Sequence, residues 1–273
     1  MPLRSTERRR QISSLTAVKG RVTVIELAEK FGVTAETIRR DLATLDAQGG
    51  IRRVHGGAVP SQNYRTEFTP FESRAQSALD AKRRIARKAL ELLPPPGSTL
   101  FLDGGTTTAL MAEALATSGL ESIPHAPTSG YVPPYKLITN SLPIAKTLAD
   151  SEYFDIQLLG GKVRPQAQAV VGNIATQTIA VLRADVAFVG TNALTLNHGL
   201  STPDEEEGAV KRAMVTHAEH VIALVDATKF GLDYLVSFAA IEDISTVVTD
   251  LQPHESYVAA LENAGISVAF AEK

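Results

Sequence analysis

Six residues in the middle of the chain, Asp103-Gly104-Gly105-Thr106-Thr107-Thr108, combine groups suited to an anion. Glycines let backbone N–H groups approach it closely, and threonine hydroxyls donate to its oxygens. The apolar run Thr99 to Leu102 precedes them and an alanine-rich helical stretch to about Ala116 follows. The turn thus opens a helix, where unpaired N–H groups and the helix dipole favour negative charge. The same residues also suit an ordinary strand-to-helix turn with threonine as its cap. Taken alone, the motif leaves the two readings even.

Four other segments follow apolar runs: Thr139-Asn140-Ser141, Gly160-Gly161-Lys162, Gly190-Thr191-Asn192 and Asp226-Ala227-Thr228-Lys229. Ligands of open parallel sheets bind beyond the carboxyl ends of the strands, so several polar ends together favour binding. Histidines 125, 198, 217, 220 and 254 show no metal-ligand spacing, and no metal or cofactor is expected.

A second cluster lies near the N-terminus. On a helix starting after Thr34, Ala35, Ile38, Leu42 and Leu45 form one apolar stripe, with Glu36 and Arg40 opposite and Thr37 and Arg39 on the flanks. Ile51-Arg52-Arg53-Val54 is β-capable, and His55-Gly56-Gly57 turns it back. Such a helix suits the major groove of DNA, with the basic hairpin on a neighbouring groove or phosphate. A lone arginine pair is usually just solvated; here the neighbouring elements favour DNA. His55 is as well placed to pack the turn as to touch a phosphate.

Those elements come earlier in the chain. Residues 4–19 place Ile12, Leu15 and Val18 at helical spacing. Thr23-Val24-Ile25-Glu26 has the form of a capping box, so a second helix begins there and closes at Gly32. Helix, tight turn, helix and hairpin make a winged helix-turn-helix. The segment Thr37-Ile38-Arg39-Arg40-Asp41-Leu42, followed by Gly50-Ile51-Arg52-Arg53-Val54-His55-Gly56-Gly57-Ala58, resembles the DNA-binding head of the DeoR family of bacterial regulators. The match runs from about Arg8 to Val59. The resemblance implies operator binding, mostly by repressors of sugar or polyol catabolism. The DNA-contact candidates are Thr34, Glu36, Thr37, Arg39, Arg40, Arg52, Arg53 and His55.

Residues 60–72 are polar, with two prolines, and read as a linker. A helix over 73–93 is expected to connect head and body and to carry a signal between them. Apolar runs near 99–102, 136–139, 155–159, 185–189 and 220–225, with helical stretches between, suit a parallel sheet covered on both faces. Shorter strands at 236–240, 246–249 and 267–270 follow, with a helix near 254–263. The proline-rich insert at 117–134 interrupts the rhythm, and its composition favours disorder.

This α/β body also resembles the effector-sensing domain of the DeoR family, which is similar in fold to ribose-5-phosphate isomerase. The expected division is a winged head at 1–59, the linker at 60–72, and an open, mostly parallel α/β domain at 73–273. The resemblance implies a phosphorylated sugar or polyol as effector. By position, Asp103, Gly104, Gly105, Thr106, Thr107 and Thr108 would hold its phosphate. Thr139 and Asn140 would line the pocket, with Gly160, Gly161 and Lys162 on the next edge. Lys211, Asp226 and Lys229 would face the ligand. Lys211 reads equally as a surface charge, and Asp204–Glu207 mainly as acidic complements to a helix N-terminus.

The chain has 273 residues, 44% of them hydrophobic, enough for a sizeable core, and no cysteine. Residues 1–60 hold 11 basic against 6 acidic side chains, and the remainder 16 against 24, so only the head suits a polyanion. No segment reads as a membrane span and the polar, basic start is unlike a secretory signal, so a cytoplasmic protein is expected. One head makes few base contacts, so a dimer or tetramer is expected. The leading reading is a repressor released by a phosphorylated sugar. A sugar-phosphate isomerase with an appended head is the alternative, but spacing does not unite Asp103, Glu205 and Asp226 as a base. An activator built from the same parts stays open.

Overall fold

The computed structural model describes residues 5–19, 21–47, 50–60, 67–118, 131–250 and 255–271. Its first unit is the expected winged head. Helix α1 (Ser5–Lys19) leads to the short strand β1 (Val22–Thr23). Helix α2 (Val24–Phe31) starts where the Thr23 hydroxyl accepts from the Glu26 N–H, and stops at Gly32, whose φ is +60°. Helix α3 (Ala35–Ala47) buries Ile38, Leu42 and Leu45 against Ile12, Leu15, Leu27 and Phe31 in a separate core. Strands β2 (Ile51–Val54) and β3 (Gly57–Pro60) form the antiparallel wing, with β1 on the other side of β3. Gly57 is needed there, because a Cβ would lie 1.9 Å from the Val22 carbonyl oxygen. Residues 61–66 of the linker and 119–130 of the insert fall outside the described residues.

The single helix expected over 73–93 is instead two, α4 (Phe71–Gln76) and α5 (Leu79–Leu90). The chain breaks at Ala78, which takes a left-handed φ of 51°. The Lys82 ammonium donates across the break to the Arg74 carbonyl, which also accepts the Ser77 N–H at 3.2 Å.

The body follows in order: β4 (Thr99–Leu102), α6 (Thr106–Ser118), β5 (Tyr135–Thr139), α7 (Leu142–Leu148), β6 (Phe154–Leu158), β7 (Lys162–Arg164), β8 (Ala169–Val171), α8 (Asn173–Ala180) and β9 (Ala184–Gly190). Then come β10 (Ala193–Thr195), β11 (Gly199–Thr202), α9 (Glu205–Thr216), β12 (Ala218–Leu224), β13 (Val236–Ala239), β14 (Thr246–Thr249), α10 (Glu255–Asn263) and β15 (Ser267–Phe270). Seven strands form one sheet in the order β15-β14-β12-β9-β4-β5-β6, and every pairing in it is parallel.

Alternation along β4 shows how the sheet is covered. Leu100 and Leu102 pack with α5, α6 and α7 on one face, and Phe101 with α8, α9 and α10 on the other. Two additions lie outside this sheet: the antiparallel trio β10-β11-β13 and the hairpin β7-β8. Strand β13, expected among the late strands, belongs to the trio.

The head rests on the loop after β12. Gly231 lies against Ser13 of α1, and Leu232 approaches Gly50 between α3 and β2.

Candidate functional site

Strands β4, β9 and β12 are neighbours, so the turns at their carboxyl ends meet. Between these turns is a cleft of about 380 Å³, counting its mouth open to solvent. Gly105, Thr106 and Thr107 line it from the start of α6, Gly190, Thr191 and Asn192 from the end of β9, and Asp226 and Lys229 from beyond β12. Lys211 of α9 lines it too, with Arg74 of α4 and Lys82 of α5.

Asp103 is the fixed point beneath the cleft. It is fully buried, and its Oδ1 accepts the Gly190 N–H at 3.0 Å. Its Oδ2 accepts from the Lys211 ammonium, which also donates to the Gly190 carbonyl at 2.9 Å. The Phe238 ring lies 5.3 Å from that ammonium. Burial pushes the Lys211 ammonium down to about 7, and the charge of Arg74 works the same way. Lys82 is 2% exposed, and burial lowers it to about 8. Asp226 opposes that shift, while Lys229 and Arg74 add to it. The cleft thus gathers four cationic side chains, Arg74, Lys82, Lys211 and Lys229, against Asp226 in its lining and Asp103 beneath it, a balance that suits an anion.

Several expected site residues build the scaffold instead. Asn140 accepts the Gly104 N–H at 2.8 Å and donates to the Val170 carbonyl at 3.0 Å. The Thr139 hydroxyl donates to the Leu102 carbonyl at 2.6 Å and accepts the Ser141 N–H at 3.0 Å. The Thr108 hydroxyl accepts the Gly105 N–H and donates to the Asp103 carbonyl, holding the turn in shape. Gly160, Gly161 and Lys162 are exposed and do not line the cleft; Lys162 pairs with Glu206 at 2.8 Å.

In the head, the Thr34 hydroxyl accepts the Thr37 N–H at 3.2 Å and caps α3. The side chains of Arg39 and Arg40 are 58% and 83% exposed, with Glu36 3.5 and 3.7 Å away. Exposed pairs of this kind bind weakly, so both arginines are available to a polyanion. Arg52, Arg53 and His55 are also exposed on the wing. The Asp46 carboxylate accepts the Arg53 N–H at 3.1 Å, tying wing to helix. Under α3, buried Asp41 pairs with Arg8 of α1 at 2.6 Å.

Residues 8–63 match the DeoR-like helix-turn-helix domain, and residues 77–251 match the DeoR C terminal sensor domain. The chain belongs to the DeoR family. This DeoR-family regulator is 34% identical to the glycerol-3-phosphate regulon repressor of Escherichia coli strain K12 over 97% of its own length and 99% of that protein's. It is also 34% identical to the transcriptional regulator GlpR of Haloferax volcanii, over 96% of each chain. With the repressor GlcR of Bacillus subtilis the identity is 28%, over 93% of this chain and 91% of that protein. Among solved structures, ribose 5-phosphate isomerase A from Methanocaldococcus jannaschii aligns with 56% of this chain and 55% of its own, at 18% identity and a TM-score of 0.40.

Two cleft residues of this DeoR-family regulator escape sequence reasoning, Arg74 and Lys82. They lie eight positions apart on the segment expected as one connecting helix. Their only sequence signal is place: both precede the first strand of the sheet and so can fold back over its carboxyl end. Thr191 and Asn192 are legible as a polar strand end, though not singly as lining residues.

Proposed function

We propose that this DeoR-family regulator is a repressor of sugar or polyol catabolism genes, released from its operator when a small phosphomonoester fills the cleft. The observation that carries the reading is one loop with two neighbours. Asp226 and Lys229 face the cleft, and Gly231 and Leu232 touch the head. A ligand shifts DNA affinity only if it binds two states differently, and this loop gives it a short route to do so.

The cleft residues in this reading are Gly105, Thr106, Thr107, Lys211, Asp226 and Lys229, with Asp103 orienting Lys211. The DNA-contact set remains Thr34, Glu36, Thr37, Arg39, Arg40, Arg52, Arg53 and His55, on a head spanning 1–59. The linker expected at 60–72 narrows, since Pro60 ends β3 and α4 begins at Phe71, and the sensor at 73–273 completes the division. Glycerol 3-phosphate is a natural first probe, because the Escherichia coli relative represses a glycerol-3-phosphate regulon. We further read the protein as a cytoplasmic homodimer or tetramer. No helix among the described residues is long and apolar enough to cross a membrane.

The isomerase alternative needs a carboxylate poised to take a proton from carbon. Asp103 is held by Lys211 and Gly190, and Asp226 accepts from both the hydroxyl and the N–H of Thr228. That favours binding without turnover. A thermal-shift screen tests the ligand class: at a hundredfold excess over Kd, a phosphomonoester should stabilise the native state by about 2.7 kcal/mol. Equal stabilisation by the matching neutral polyols would refute it.

A further inference from the structure

We propose that Arg74, on the connector between head and sensor, grips the effector's phosphate directly, facing the start of α6 across the cleft. The inference rests on the cleft being a phosphomonoester site, and adds to it which residue reads the charge.

Arg74 carries an unmet demand. Its Nε and Nη2 are enclosed and have no hydrogen-bond partner. A guanidinium does not shed its proton to escape that cost, so donors enclosed in this way need an acceptor. Nε–H and Nη2–H form one edge of the guanidinium fork, the edge that takes two oxygens of one phosphate side by side. The carboxylates that act on it have other partners: Arg164 holds Glu207 at 2.9 Å, and Gln168 donates to Glu72 at 2.6 Å.

The setting holds this edge in place. The Phe68 ring lies 5.7 Å from the Arg74 guanidinium and 4.7 Å from that of Arg164. The Lys82 ammonium holds the Arg74 carbonyl and lines the same cleft. An effector between Arg74 and the N-terminus of α6 would therefore tie the connector to the sheet. It would sense charge at the segment that leads to the head.

The test titrates the full chain with glycerol 3-phosphate, inorganic phosphate and glycerol by calorimetry, for wild type, Arg74→Gln and Arg74→Lys. Losing a charged, two-point contact should weaken glycerol 3-phosphate and inorganic phosphate about 10–100-fold in Arg74→Gln. Arg74→Lys keeps the charge but not the fork, so it should recover part of that loss. Glycerol, which lacks the phosphate, should not distinguish the three proteins. If Arg74→Gln melts well below wild type, the comparison between Arg74→Lys and wild type decides. Phosphomonoester affinity equal to wild type in a folded variant overturns the role of Arg74 alone. No phosphomonoester binding by wild type overturns the effector reading as well.

Discussion

Gly231 and Ser13 meet where the head rests on the sensor: a Cβ on Gly231 would lie 2.9 Å from the Ser13 hydroxyl oxygen and 3.4 Å from its carbonyl oxygen. Gly231 also has a φ of +76°, which any side chain resists. Its N–H donates to the Leu194 carbonyl at 2.8 Å, and the Leu194 N–H donates to the Lys229 carbonyl at 3.0 Å. Lys229 lines the cleft. Gly231→Ala should therefore lift the head from the loop while leaving the cleft lining intact. We expect effector affinity to stay within about twofold, and the coupling to operator binding, typically about 1–3 kcal/mol, to fall toward zero. Calorimetry and operator titration on the same sample check this; an undiminished effector response would show that the signal travels elsewhere.

Arg40→Ala should weaken operator binding by about 1–3 kcal/mol if it reads a base, and spare random DNA. If Arg40 contacts phosphate, both DNAs should weaken alike and the salt dependence should flatten. Fluorescence anisotropy at two salt concentrations separates the cases. Unchanged affinity for both DNAs would remove Arg40 from the interface.

Asp41→Ala should destabilise the head by about 3–5 kcal/mol, since it leaves the Arg8 charge buried beneath α3 without this partner. Proteolysis with mass mapping should show cleavage concentrated in 5–60 before the sensor is cut. A variant as protease-resistant as wild type would show the pair to be dispensable.

Effector affinity should depend on pH through two lysines. In the free cleft, burial pulls the Lys211 ammonium down to about 7 and that of Lys82 to about 8. An entering dianion favours both ammonium forms, so their values rise and protons are taken up on binding. Binding should be strongest near pH 7 and weaken as pH rises through 8 to 9, because the free cleft has then lost the protons the complex holds. Up to about tenfold per pH unit is expected for each proton taken up. Calorimetry in buffers of different ionisation enthalpy counts those protons. Affinity that rises with pH would reverse the sign and exclude this origin.

The head was legible because its signals are local. Thr23 caps α2 within three residues, and Ile38, Leu42 and Leu45 repeat at the helical period. The Arg8–Asp41 pair was not, because its partners stand 33 residues apart and Asp41 reads as one more solvated helix acid. The central strands were legible as continuous apolar runs, a consequence of cover on both faces. Strands β7, β8 and β10 have three residues each, too few for a period. The break at Ala78 carries no glycine or proline to announce it. Beside it the buried Lys82 bonds the Arg74 carbonyl, a contact between residues eight apart that the helical period does not reveal. Gly105 and its threonines were visible as an anion turn. Which of them serve the ligand was not, since Thr108 differs from Thr106 and Thr107 only in the hydrogen bonds it makes at home.

Operator affinity with and without a phosphomonoester, measured side by side for wild type and Gly105→Val, tests the central claim most directly. A side chain at Gly105 would press on the floor of the cleft, its Cβ 3.0 Å from the Thr108 hydroxyl and 3.4 Å from Asp103 Oδ1, and so disturb the turn that lines it. Wild type should lose operator affinity on adding glycerol 3-phosphate or the best ligand of the thermal screen, while Gly105→Val should bind the operator normally and ignore the ligand. Equal ligand response in both proteins would remove the turn from the site, and tighter operator binding by liganded wild type would contradict release by effector.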